Sequence, residues 1–67
     1  MAVARSTEIT ASSTKSIEAA IQEGLKRASK SLPNVTGLEV SSIRAKVEQG
    51  RVREYRVSLK VTFALEE

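Results

Sequence analysis

The chain has 67 residues, of which 40% are apolar and 28% charged, with a formal net charge of +3 from eleven Lys and Arg against eight acidic residues. This balance is typical of a single small globular domain spanning residues 1–67. The absence of Cys, His and Asp excludes disulfides, zinc cages and histidine-based catalysis. A chain of this length buries only about 60% of the surface that it exposes when unfolded, so we expect stabilisation by self-association.

The composition also limits the classes of function. A serine nucleophile would have to use a lysine as its base, since no histidine is present; we predict no enzymatic activity and no catalytic residues. No stretch approaches the ~20 apolar residues of a membrane span, and we expect a cytoplasmic protein. The mild positive charge is scattered along the chain, which permits nucleic-acid binding but does not indicate it.

The first two elements are predicted to be a short strand and a helix. Residues 1–10 alternate weakly between polar and apolar side chains, which indicates a modest strand. The Ser- and Thr-rich cluster that follows contains several N-cap candidates. Ser13 has the best position relative to the apolar residues of the helix that follows, so the helix is expected to begin near Thr14.

The helix is predicted from apolar residues that recur every three or four positions. Gly24 lies on this apolar stripe, where it is either a tolerated defect or a point of close approach by a strand or another subunit. Pro33 favours an end near Leu32. The apolar positions are Ile17, Ala20, Ile21, Leu25, Ala28 and Leu32.

The next segment is predicted to be a strand with an irregularity. Leu38 and Val40 share one parity, whereas the apolar residues from Ile43 onward share the other. This switch predicts a bulge or bend at the two intervening serines. Residues 48–51 then form a short hairpin loop, in which Gly50 can take the positive φ that such loops require.

The third strand carries the strongest pattern in the sequence. From Tyr55 to Leu65 every odd position is apolar and most even positions are polar. We expect Tyr55 and Phe63 in the core. The predicted fold class is α+β, with the order β-α-β-β and a three-stranded antiparallel sheet packed on one helix. Because one helix covers only part of such a sheet, the remainder favours assembly with further copies.

Three segments in this order, SIEAAIQEGLKRA, LEVSSIRA and REYRVSLKVTFALEE, resemble the dodecin family. The resemblance covers nearly the whole chain. It implies a dodecin-like subunit, twelve copies of which form a hollow shell. In the flavin-binding members, that shell stores or sequesters ligands such as FMN or riboflavin at contacts between subunits.

Two positions depart from the flavin-binding pattern. The Trp that stacks on the flavin, two residues before the Glu of the second strand, is Gly37 here. The Gln that follows the Tyr of the third strand and bonds the ring edge is Arg56, which can donate a hydrogen bond but cannot accept one. The chain is therefore closer to members without that Trp, such as calcium dodecin, and weak or lost flavin binding is implied. Arg44 occupies the family's Arg position, where it either contacts the ligand or forms an inter-subunit ion pair.

Two basic surfaces can be predicted from residue spacing. Arg56 and Lys60 share a strand face and are expected to form a positive strip, either solvated or holding an anion such as phosphate. Lys26, Arg27 and Lys30 cluster on the helix exterior, either as a solvated face or as a contact for nucleic acid or an acidic partner. The chain lacks the paired exposed aromatic residues that single-strand binders use.

The sequence is compatible with three functions. The first is a homo-oligomeric shell for a flavin-type or anionic small molecule, with a degenerate flavin site formed by Gly37, Arg44 and Arg56. The second is a structural assembly without a ligand, and the third is a basic module that binds nucleic acid or anions. Calcium requires several oxygen ligands, and glutamates are the only acidic side chains, so the metal stays unassigned.

Overall fold

The computed structural model describes residues 3–65, so Glu66 and Glu67 of the closing FALEE segment lie outside the described residues. The chain forms β1 (Val3–Ser13), α1 (Ile17–Ser31), β2 (Val35–Glu48) and β3 (Arg51–Leu65). The sheet has the strand order β1-β3-β2, and both neighbours of β3 run antiparallel to it. The predicted fold class is therefore confirmed.

The core lies between α1 and the middle of β3. Val57, Leu59 and Val61 are buried under Ala20 and Ala28 of the helix, as the alternation of β3 predicts. Small helix residues let the helix approach the sheet closely.

Gly24 marks the closest approach between the helix and the sheet. A Cβ atom added there would lie 2.7 Å from Leu59 Cδ1 and 3.1 Å from Ala11 Cβ. Contacts this short are overpacked. Close approach of a strand, rather than a tolerated defect, therefore accounts for this glycine.

The prediction that Tyr55 and Phe63 belong to the core was wrong for the subunit alone. Both are only partly buried, and neither packs against the buried cluster. A helix of 15 residues is about 22 Å long, whereas a strand of 15 residues spans about 50 Å. The helix therefore covers the centre of β3 and leaves its two ends less protected.

The predicted start of the helix was also wrong, by three residues. Ser16 is the N-cap, and its hydroxyl accepts a hydrogen bond of 2.9 Å from the backbone N–H of Ala19. Ser13 instead ends β1, beyond the predicted end of this strand at residue 10, and its hydroxyl accepts from the N–H of Lys15. Two serines can cap in this segment, and pairing of Ser13 with Tyr55 in the sheet decides between them.

The bulge and the hairpin loop were predicted correctly. Val40 pairs with Leu59 and Ser42 with Ser58, which leaves Ser41 as the extra residue. Gln49 and Gly50 both have positive φ, at 54° and 74°, as in the two-residue loops that suit a twisted hairpin.

The end of the β2–β3 hairpin extends beyond the rest of the subunit. We call residues 43–56 the arm. Every residue from 43 to 53 is exposed, and beyond the Ser13–Tyr55 pair only β2 and β3 continue. The Cα positions accordingly span 52 × 19 × 13 Å. Within residues 3–65 no helix is long and apolar enough to cross a membrane.

Candidate functional site

The candidate residues lie on the face of the sheet that points away from α1, which we call the polar face. Side chains alternate between the two faces of a strand, so the even residues of β3 lie opposite the buried Val57, Leu59 and Val61. The strand register arranges this face in rows across β1, β3 and β2. The rows are Ser6–Thr62–Gly37, Glu8–Lys60–Glu39, Thr10–Ser58–Ser42 and Ser12–Arg56–Arg44.

Arg44 and Arg56 are direct cross-strand partners, which we call the arginine pair. The Cβ atoms of such partners lie about 5 Å apart, and like charges in this arrangement repel each other. Both residues are exposed. The structure therefore brings together two of the three predicted site residues.

Glu54 is the carboxylate next to the arginine pair. Its Oε1 accepts from Arg56 Nη2 at 3.2 Å, and Lys46 is its cross-strand partner. A hydrogen bond from the Ser12 hydroxyl is the largest influence on this carboxyl, and with Arg56 and Lys46 it outweighs partial desolvation and lowers the pKa of Glu54. Glu54 is thus ionised at neutral pH and forms an ion pair with the Arg56 guanidinium.

The second carboxylate of the arm, Glu48, neutralises other cations. Its oxygens lie 3.7 Å from Lys46 Nζ and 3.6 Å from Arg53 Nε. Among residues 3–65 Arg44 takes part in none of the ion pairs. One member of the arginine pair therefore has no anionic partner among these residues.

The positive charge is more localised than the sequence analysis suggested. The arm accounts for a formal charge of +3, equal to that of the whole chain, and the other charges cancel. The charges of the arm come from Arg44, Lys46, Arg51, Arg53 and Arg56, with Glu48 and Glu54.

The predicted positive strip of Arg56 and Lys60 was wrong as a continuous feature. Lys60 lies between Glu8 and Glu39 as the cross-strand partner of both. The row around Lys60 therefore has a formal charge of −1, and the positive region ends before it. Within residues 3–65 no cluster of three acidic side chains is suited to hold a metal ion.

Gly37 lies far from the arginine pair within one subunit. It is paired with Thr62, six residues along β3 from Arg56, which corresponds to about 20 Å. It is exposed, and a Cβ atom added there would meet nothing within 4 Å. The structure thus does not bring Gly37 together with Arg44 and Arg56 in the subunit.

A separate groove runs between α1 and the edge strand β1, with a volume of about 570 Å³. Its lining includes the apolar residues Ile9 and Ala11 with Gly24, and the charged residues Glu23 and Arg27. This groove could not be predicted from the sequence. The small residues on the helix indicate a close approach to the sheet. They do not indicate that β1 is the edge strand, on which the groove depends.

Sequence reasoning missed Ser12 as a neighbour of the arginine pair. Strand parity places Glu54 and Arg56 on one face, so Glu54 is predictable as a carboxylate beside Arg56. Ser12, however, could be placed there only once its pairing with Arg56 was known.

Comparison with known proteins identifies the family of this chain. The family model described as Dodecin matches residues 3–66. A dodecin from Thermus thermophilus is 42% identical over 65 residues, which cover 97% of this chain and 94% of the relative.

Solved structures agree with this match. A dodecin from Streptomyces davaonensis has a TM-score of 0.92 at 33% identity, covering 98% of this chain and 97% of that one. A mutant of the Thermus thermophilus dodecin has a TM-score of 0.93 at 42% identity, covering 100% and 98%. The resemblance seen in the sequence is therefore confirmed, and the chain belongs to the dodecin family.

Proposed function

We propose that this chain is the subunit of a closed homo-oligomeric shell, a dodecamer of the kind that the resemblance implies. The shell binds and sequesters a small molecule at contacts between subunits and is not an enzyme. Membership of the dodecin family supports the shell. The observation that carries the proposal is the arm, which needs a partner that the subunit itself does not supply.

Exposed apolar side chains on the arm favour self-association. Ile43, Val47 and Val52 are 55%, 60% and 48% exposed. Ile43 pairs with the buried Val57, so these side chains continue the apolar face of the sheet beyond the end of the helix. A two-stranded hairpin is at best marginally stable by itself in water. A second copy that covers this face removes apolar surface from water and supports the hairpin.

The distance between the candidate residues supports a ligand site shared by two copies. Gly37 and Arg56 lie about 20 Å apart along one sheet, which exceeds the length of a flavin ring system. A ligand that touches both positions must therefore contact them in different subunits. Arg44, which has no ion-pair partner among residues 3–65, is available at such a contact.

Flavin binding by this shell is weak or lost. Gly37 supplies no ring to stack on FMN or riboflavin, and an aromatic pair contributes about 0.5–1.5 kcal/mol beyond the burial of its surface. Arg56 cannot accept a hydrogen bond from the ring edge, and it is already bound to Glu54.

Light scattering of the purified protein at micromolar concentration tests the shell. We expect a stable species of about twelve times the 7.3 kDa chain mass. Val47→Lys places a charge on the apolar side of the arm and should shift the mass towards smaller species. Gln22→Lys adds the same charge on the exposed side of α1 and should leave the mass unchanged. A stable monomer or dimer of the unmodified protein would contradict the proposal.

A further inference from the structure

We propose that the arginine pair, Arg44 and Arg56, is a binding site for a phosphoryl group, either free or carried by an organic molecule. This inference deepens the proposed function, because it names the chemical class of a ligand that the polar face takes. The site itself lies within one subunit.

The first observation is the uncompensated charge at the pair. Arg44 and Arg56 lie directly opposite each other, and Lys46 lies on the same face beside them. Glu54 is bound to Arg56, and Glu48 is bound to Lys46 and Arg53, so neither carboxylate of the arm is bound to Arg44. A bound dianion removes the repulsion between the two guanidinium groups.

The second observation is the number of free hydrogen-bond donors. A guanidinium has five N–H donors. One nitrogen of Arg56, Nη2, is bound to Glu54, and no side-chain bond of Arg44 is found within residues 3–65. Phosphoryl oxygens accept such donors in bidentate pairs, which is the geometry that guanidinium groups favour.

The third observation is that Arg56 already has a partner that orients its side chain. Glu54 Oε1 accepts a hydrogen bond of 3.2 Å from Arg56 Nη2. Because the Arg56 side chain is already oriented, binding of an anion restricts it less than it would a freely moving side chain.

The surroundings favour a compact anion over a nucleic acid. Four residues along β3 from Arg56, a distance of about 13 Å, Lys60 is flanked by Glu8 and Glu39. A polyanion running along the face would meet these two carboxylates. Tyr55 pairs with Ala45 on the opposite face of the sheet, so it cannot stack on a base bound beside the arginines.

Calorimetric titration with inorganic pyrophosphate tests the site. We expect saturable binding that weakens at least about tenfold in Arg56→Gln and in Arg44→Gln, the loss expected for one charge-assisted hydrogen bond. Arg51→Gln is the matched control, because it removes the same charge from the same arm outside the pair. Its affinity should stay within about twofold of the unmodified protein, apart from general screening.

Two results would overturn the inference. One is the absence of saturable binding, and the other is an equal loss in Arg51→Gln, which would show a diffuse charge effect. The assembly mass of each variant is measured alongside. If the protein assembles into a shell but does not bind pyrophosphate, the arginine-pair site is refuted and the proposed function is not. If the protein is a monomer that binds pyrophosphate, the proposed shell is refuted and the site is not.

A comparison of FMN with riboflavin identifies the source of the phosphoryl group. Both carry the same ring, and only FMN carries a phosphate. Tighter binding of FMN than of both riboflavin and pyrophosphate supports a phosphorylated organic ligand. Tightest binding of pyrophosphate supports a free inorganic anion.

Discussion

Replacement of Leu59 by alanine is expected to abolish folding and assembly together. Leu59 is fully buried, and truncation of such a leucine costs about 2–5 kcal/mol. Its Cδ1 lies against Gly24, a position with no side chain that could move into the cavity. The total stability of a small domain is about 5–15 kcal/mol, and a chain of this length lies near the lower end.

Thermal unfolding followed by circular dichroism, with light scattering on the same samples, measures this effect. Val3→Ala is the matched control, because it truncates a residue of β1 that is 47% exposed and lies outside the arm. We expect that variant to keep its secondary structure. Loss of assembly in Leu59→Ala with an unchanged unfolding transition would refute the coupling between the core and the shell.

The double change Gly37→Trp with Arg56→Gln is expected to restore riboflavin binding. The indole ring supplies the stacking surface, and Gln can both donate and accept at the ring edge. The subunit has room for the new side chain, because a Cβ atom at position 37 meets nothing within 4 Å and the backbone there is not left-handed. We expect affinity to rise at least about tenfold over the unmodified protein.

Quenching of riboflavin fluorescence follows this titration. Each single change serves as a control, and Gly37→Trp alone should recover part of the affinity, since the ring buries about 150–250 Å². Tight binding by the unmodified protein would show that another group replaces the Trp. A double mutant that assembles but ignores riboflavin would show that the pocket differs, through the backbone at Gly37 or the bulge at Ser41.

The fold could be predicted where the local pattern is unambiguous. The alternation of β3 placed Val57, Leu59 and Val61 in the core, and the parity switch located the bulge at Ser41. The cap of α1 could not be predicted, because Ser13 and Ser16 are both suitable acceptors. Only the pairing of Ser13 with β3 excludes it from the helix.

The candidate site depends on strand register, which one sequence does not determine. Arg44 and Arg56 were each identified by family position, but nothing in the sequence placed them opposite each other. The same register separates Gly37 from them and surrounds Lys60 with carboxylates. Tyr55 lies on the apolar side of the sheet, as the alternation predicts, but it is not in the core. The alternation predicts the face of the sheet and does not predict how much of that face the helix covers.

Native mass spectrometry of the protein purified from its source tests the central claim most directly, because it reports the assembly and its bound ligand together. We expect a species of about twelve times the 7.3 kDa chain mass that carries no stoichiometric riboflavin. A monomer, or a shell that retains riboflavin in stoichiometric amounts, would contradict it.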